Sequence, residues 1–456
     1  MAILNGLGLL NSLQIGRRAV NANQSALEVT GKNIANVNTP GYTRQRATPG
    51  VSDPSVEAIL NMPQVENLRD ALTERLLLQE QGRFGSLTKQ TELMSALESL
   101  INEPSDTGLD TALQRFFASA ESLAATPESQ GIRQELVERA RVVAGTFRSL
   151  AEQLDATKQQ NLLDAQTLVT EVNRRLQAVR ELNVEILRTP EASARFEIQN
   201  RQEQLVRELA ELIGVRMEER KDGTRTVLLN GITLASTTSA AELSVSSSQD
   251  GRLRLHAALG GQTVEVHPSS GALHGLARFQ NELLPAIEAD LHTLARQLID
   301  QANGVLPGWT LLEPASDPAQ RAQAALYLTV AVRGPADVEQ PGVPNLGDLS
   351  IPEAQRLAQG LTQIQERRLP ELENLTVPAF YRELVAALGA QSAELDQQQR
   401  TSELIKQQLE TRREAISGVS LDEEAANMLV FQRGFQAAAR YIQVVDQLLE
   451  TIIERI

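Results

Sequence analysis

The sequence predicts a mainly α fold: terminal helices pairing as a coiled coil, a long helical bundle domain built from both halves of the chain, and a small inserted β-rich domain. Three observations carry this. Only 3% of the 456 residues are aromatic, so the core must be made of small and aliphatic side chains, as in long packed helices. Seven-residue apolar repeats stand at both ends of the chain. Between Val215 and about His267 the hydrophobic period falls from helical to two, around the turn pairs Asp222-Gly223, Asn230-Gly231 and Gly260-Gly261.

At the N-terminus Leu13, Val20, Leu27 and Ile34 recur every seventh residue, but Gln14, Arg17, Asn21, Asn23 and Gln24 lie between them. So thin a stripe buries little, and such a helix needs a partner. The pattern gives way at Asn36 to "NVNTPGYTRQ", a stop followed by a turn. Helical spacing then runs from Val65 to Ile101, breaks at "NEPSDTG", and resumes with Leu109, Leu113, Phe116, Ala120 and Leu123 on one face. A proline-free stretch from Gly131 to about Arg188 reads as one long helix, and another runs from Glu191 to a stop at Gly214.

After the β insert, helix resumes at Ala272, with Pro285 as at most a kink. "ALYLTVAVRGP" is a weaker strand candidate, and two more helices are expected over 352–368 and 378–416. Beyond Ser417-Gly418 comes the strongest pattern. Leu421, Met428, Phe435, Ile442, Leu449 and Ile456 share one register, and Glu424, Phe431, Ala438, Val445 and Ile452 the register three residues on; only Glu424 is polar. This apolar stripe can supply what the N-terminal helix lacks, so the two ends are expected to pair.

The net charge of −15 excludes the basic footprint that nucleic-acid binding needs. Absence of cysteine removes disulfides, thiolate metal sites and a thiol nucleophile. No run approaches the roughly 20 apolar residues of a membrane span, and Arg17-Arg18 follow the first apolar stretch, the reverse of a secretory signal. His256, His267, His274 and His292 have no metal-ligand spacing. Asp422-Glu423-Glu424 complement a helix N-terminus rather than form an acid–base pair. "GLGLL" at Gly6 and "GALHGLA" at Gly271 lack the ending of a phosphate loop and read as glycines at helix starts. No catalytic, cofactor-binding or metal residue is expected.

"NQSALEVTGKNIANVNTPGYTRQ" and "SGVSLDEEAANMLVFQRGFQAAARYIQVVDQLLETII" resemble the two ends of the bacterial flagellar axial proteins, the rod, hook and hook-associated subunits. "GYTRQ", "LDEEAAN" and the block "LQRFFASAESLAATPESQGIRQEL" are similar to its hook-associated branch. The resemblance implies an inner coiled-coil part at 1–45 and 419–456 and a helical part at 46–214 and 271–418, with a minor β segment near 325–335. It also implies a β-rich insert at 215–270. It implies a structural subunit joining hook to filament, located in the extracellular flagellum and exported without a cleaved signal peptide. The partners implied are hook protein, the second hook-filament junction protein, copies of itself in a ring, a cytoplasmic export chaperone at the C-terminal helix and the flagellar type III export apparatus. Neither nucleic acid nor membrane is among them. Two alternatives stay open: a rod or hook subunit, which shares the termini, and an enzyme or adhesin carried on an axial scaffold.

The assembly residues expected are Leu13, Val20, Leu27, Ile34, Asn36, Gly41 and Tyr42 on the N-terminal side. On the C-terminal helix they are Leu421, Met428, Phe431, Phe435, Ile442, Val445, Leu449 and Ile452.

Overall fold

The computed structural model describes residues 2–39, 41–48, 64–101, 108–248, 250–313, 323–340 and 343–454. Its helices are α1 (Ala2–Ala35), α2 (Ala71–Ile101), α3 (Leu109–Ala125), α4 (Gln130–Arg188), α5 (Ala192–Ile213), α6 (Ala272–Arg278), α7 (Leu284–Gly304), the short α8 (Ala324–Tyr327), α9 (Ile351–Glu366), α10 (Val377–Ser417) and α11 (Leu421–Glu454). They form two regions. An arm consists of α1 packed on α11, and a body is made of α2 to α10 with the small sheets.

The body has one continuous apolar core, running from Leu78 on α2 to Leu395 on α10. Phe116 and Phe117 sit inside it, their rings meeting edge to face at 5.3 Å between centroids. The 59-residue α4 spans roughly 90 Å and is the mast to which other elements attach. It starts at Ser129, whose hydroxyl accepts from the Ile132 N–H at 3.4 Å. Gly214 ends α5 in the left-handed conformation, at φ 67°. Arg133 is 2% exposed, and its guanidinium donates to the carbonyls of Pro127, Leu346, Gly347 and Leu349. It thereby ties the 346–349 segment to α4.

Between α5 and α6 lie two three-stranded antiparallel sheets. The first is β3 (Arg216–Glu219), β4 (Arg225–Leu229) and β5 (Ile232–Ala235); the second is β6 (Glu242–Ser247), β7 (Leu253–Leu259) and β8 (Gln262–Val266). The alternating burial of β7, with Leu253, Leu255 and Ala257 inward, is the period of two expected from the sequence. Two-residue strands β9 (Leu312–Glu313) and β10 (Thr329–Val330) pair beside α8.

Three expectations need correction. Residues Val65 and Leu68 fit helical spacing, yet 64–67 forms β2 (Gln64–Asn67), antiparallel to β1 (Gln45–Thr48), and α2 starts only at Ala71. Two apolar residues do not fix a period, and the partner strand that decides the matter lies about twenty residues upstream. The join near Pro285 is a π-helical turn, Phe279–Leu283, with the proline in the first turn of α7. Gly6 and Gly8 lie inside α1, and Gly275 lies inside α6, where a Cβ would come 2.3 Å from the Ser86 carbonyl oxygen. Only Gly271, at φ 89°, stands at a helix start.

One recurrent device explains part of the asparagine content. Helical asparagines place their amide beside a strand position left open by the sheet, donating to its carbonyl and accepting from an N–H. Asn173 does so with Leu243 (2.8 and 2.8 Å), Asn183 with Arg225 (2.8 and 2.8 Å) and Asn281 with Leu253 (3.0 and 2.8 Å). Asn303 holds Leu311 and Leu312 in the same way. Each amide completes a ladder that would otherwise end in unpaired backbone.

Candidate assembly interface

The helices α1 and α11 run antiparallel. A Cβ added at Gly16 would stand 2.6 Å from Ile442 Cγ1, one at Gly434 would stand 2.4 Å from Asn23 Oδ1, and Asn33 reaches Glu424 at 3.1 Å. The seam on α1 is built from Gly16, Ala19, Asn23, Ala26, Thr30 and Asn33, spaced alternately by three and four. Of these Gly16, Ala26, Thr30 and Asn33 are buried, together with Val29. Small side chains let the backbones approach closely, and the larger residues of α11 fill the space between them.

Leu13, Val20, Leu27 and Ile34 are therefore beside the seam and only half-buried. The sequence search followed large apolar residues and missed a heptad written in Gly, Ala, Thr and Asn, whose spacing alone could have revealed it. On α11 Ala438 and Val445 are fully buried, and Met428, Phe431, Phe435, Ile442 and Leu449 are half-buried. Leu421 is the exception at 50% exposure. The side chain of Ile452 lies outside the described residues.

Glu424, the one polar member of the C-terminal heptad, is 2% exposed. It accepts from Arg44 Nε at 2.7 Å and from Asn33 Nδ2 at 3.1 Å. Asn33 uses all its hydrogen-bonding capacity. Its Nδ2 also donates to the Gln45 carbonyl (2.8 Å), while its Oδ1 accepts from the Gln45 N–H (3.0 Å) and the Tyr42 hydroxyl (3.0 Å). This is the asparagine clamp again, here on β1. A buried polar contact of this kind fixes register, since sliding the helices by one turn would strand Glu424 against apolar neighbours. Burial, and then the negative charges of Glu197 and Glu424, push the Tyr42 phenol up to about 12. It stays a neutral donor.

Asn36 caps the end of α1, donating to the Lys32 carbonyl at 2.9 Å. Gly41 takes a positive φ of 80°, and a Cβ there would come 3.1 Å from the Arg207 guanidinium. Arg44 also pairs with Glu423 at 2.6 Å, and its N–H donates to the Ser417 carbonyl at 2.8 Å. Turn, hairpin and the start of α11 thus meet at one point.

Among the described residues no group of three or more His, Cys, Asp or Glu is placed to hold a metal ion, and no helix is long and apolar enough to cross a membrane. His274 Nδ1 is 2.9 Å from the Ser86 hydroxyl. His292 Nδ1 accepts from the Ala325 N–H at 3.3 Å. Burial, with nearby Lys158 and Arg296, lowers the His292 imidazole to about 4.

Comparison with known proteins agrees with this architecture. Residues 94–308 match the family described as flagellar hook-associated protein FlgK helical domain. Residues 13–43 match the flagella basal body rod protein family, and 414–455 the C-terminal family of the basal body rod FlgEFG proteins. The chain is thus similar to the flagellar rod, hook and hook-associated proteins at both ends and to the hook-associated branch in its helical middle. It is similar to the flagellar hook-associated protein 1 of Bacillus subtilis (strain 168), at 23% identity over 97% of each chain. The protein of that name from Salmonella typhimurium is 28% identical over 62% of this chain and 54% of its own; for Escherichia coli (strain K12) the figures are 27%, 65% and 56%. The chain thus spans about half the length of the enterobacterial relatives. A solved flagellar hook junction protein FlgK from Burkholderia pseudomallei aligns with a TM-score of 0.49 at 22% identity, over 53% of this chain and 47% of that one. This is a protein of the bacterial flagellum, from a structural family.

Proposed function

We infer that the chain is a structural subunit of the flagellum that forms the junction between hook and filament, assembling through its terminal helices and catalysing nothing. The observation that carries this is a second seam on α11, turned away from α1. Val430, Tyr441, Val444 and Leu448 are 63%, 43%, 54% and 49% exposed, and with Ala437 they repeat at heptad spacing on the outer face. The occupant is a second copy of this chain. The outer stripe borders the seam already filled within the arm, and the two helices carry opposite charge. Arg17, Arg18 and Lys32 outnumber Glu28 on α1, whereas Asp446, Glu450 and four other carboxylates outnumber Arg433 and Arg440 on α11.

The finer parts of the reading belong to the same proposal. They are a ring of copies contacting hook protein on one side and the second junction protein on the other, an export chaperone covering the C-terminal helix, and passage through the type III export apparatus without cleavage. So are the division into inner, helical and β-rich parts at 45, 214, 270 and 418, and the assembly roles of the residues named above. A rod or hook subunit is supported only by the matches at the two ends.

A strain lacking the protein should build hooks without attached filaments. A double substitution Tyr441→Asp with Val444→Asp should give the same phenotype while the purified chain melts at an unchanged temperature, because the outer stripe is no part of the folded core. Normal filaments on the double mutant would remove the outer stripe from the assembly surface.

A further inference from the structure

The two sheets of the insert close their edges by recognisable means. Asn173 takes the open position of β6 at Leu243, Asn183 that of β4 at Arg225, and Asn281 that of β7 at Leu253. Strand β3 carries Arg216, Glu218 and Glu219 among its four residues, and charge at that density keeps other strands away. Strand β8 has neither a clamp nor a row of charges. It lies at the end of its sheet, paired with β7 alone, and its residues Gln262 to Glu265 are exposed, Val264 at 42%. It contains no proline or lysine, and its one charge is Glu265.

Which of its backbone groups face outward follows from the turn. Leu259 and Gln262 flank Gly260-Gly261, whose φ values of 55° and 87° are those of a two-residue hairpin turn. Residues flanking such a turn exchange hydrogen bonds, and the pattern alternates along the strand. Gln262, Val264 and Val266 therefore direct their N–H and C=O at β7, while Thr263 and Glu265 direct theirs away from the sheet. The next outward carbonyl, at His267, is taken, since it accepts from Asn230 Nδ2 at 2.6 Å. Among the described residues no backbone partner stands opposite Thr263 or Glu265. The bare edge is thus a pair of residues placed symmetrically about Val264.

We propose that β8 is a strand-pairing edge whose occupant is β8 of a second copy of this chain, antiparallel and centred on Val264. In that register Thr263 of each copy faces Glu265 of the other, and every outward N–H meets an outward C=O. The two carboxylates do not oppose each other, and the Val264 side chains meet across the close, non-hydrogen-bonded pair. A pair of such short strands covers far less than the roughly 1,200 Å² of a stable interface, so the contact is weak, with Kd on the order of 0.1 to 1 mM. A two-fold pair joins chains that point in opposite directions, whereas neighbours in a single ring are related by rotation about one axis. The contact is one of free chains and stands whether or not the chain works at a junction.

The test is self-association of the full chain, read by sedimentation at concentrations up to about 1 mM. Tyr441→Asp and Val444→Asp are present throughout, so that the outer stripe of α11 adds no contact between copies. Thr263→Lys sets an ammonium opposite Glu265 of the other copy in both pairs and should lower Kd by about 2- to 30-fold; Thr263→Glu sets like charges there and should raise it by as much. Thr263 is exposed, so neither change touches the core. The chain has no cysteine, so a single introduced one reports the register. Val264→Cys should oxidise to a disulfide-linked dimer faster than Gln262→Cys, which the register holds away from its own counterpart. The proposal falls if neither the starting chain nor Thr263→Lys self-associates, if the two charge changes shift Kd in the same direction, or if the two cysteines couple at equal rates.

Discussion

The body and the arm bury their helices by different means. In the body Met94, Phe116, Phe117 and Phe147 are at most 1% exposed, and each helix is covered on its apolar face by at least one neighbour. In the arm the buried residues among those described are Gly16, Ala26, Val29, Thr30, Asn33, Ala438, Val445 and Glu424, and apolar residues of α11 remain outside. A two-helix layer can cover one face of each helix and no more. The difference teaches that the body folds on its own packing, whereas the arm is specified by register and close approach and leaves apolar residues of α11 uncovered.

The largest effect that sharpens this contrast is expected in the body. Phe116→Ala should cost about 3 to 5 kcal/mol through lost transfer energy and the cavity left behind, read as a fall in the denaturant midpoint of the purified chain. Phe435→Ala on α11 should leave that midpoint unchanged yet block filament attachment, since the loss is repeated in every subunit. A matching drop for both would mean that arm and body fold as one unit.

Next in size is the register contact. Asn33→Ala leaves Glu424 buried with one partner fewer and should cost the arm about 2 to 4 kcal/mol. The measurement is hydrogen exchange along α1 and α11, where protection should fall while that of α4 does not. Gly16→Val tests close approach. Its side chain would overlap Ile442, and overpacking of this kind typically costs about 1 to 3 kcal/mol, again confined to exchange in the arm. Protection in the arm untouched by either change would show that its seam lies elsewhere.

The smallest effect belongs to the body and to acid. The imidazole of His292 is lowered to about 4 from an unfolded value near 6.5, so below pH 6.5 the unfolded chain takes up a proton that the folded chain refuses. Its contribution is fully present above about 6.5 and is lost as the pH falls towards 4. The urea midpoint should decline over that window, and less so in His292→Asn. An identical decline in the variant would assign the acid sensitivity to other groups.

The helical architecture was legible where large apolar residues at helical spacing mark α3 and α4 in the body and the α11 seam in the arm. The β insert was legible from its Gly-containing turns. Two features were not. The α1 seam is composed of residues that score as neutral, so a search for hydrophobicity passes over Gly16, Ala26 and Thr30. The β1–β2 hairpin is made of "QRAT" and "QVEN", four-residue polar strands with no period to detect. Glu424 lay between these cases. It stood out as the polar exception in an apolar heptad, and its partner Asn33 stood in the stretch where the first helix stops, but only the fold brings the two together.

The asparagine clamps give the molecule a clock. A side-chain amide hydrolyses slowly to a carboxylate, and at a clamp the change would set a negative oxygen against a strand carbonyl where an N–H had donated. Asn303, followed by Gly304 with no side chain to hinder the reaction, is the site at which this is chemically easiest, and Asn33 is the one where it would put a second carboxylate beside Glu424. Wherever such a chain stays in place without being replaced, its service life would be set by how tightly the helices hold these amides rather than by the stability of the fold.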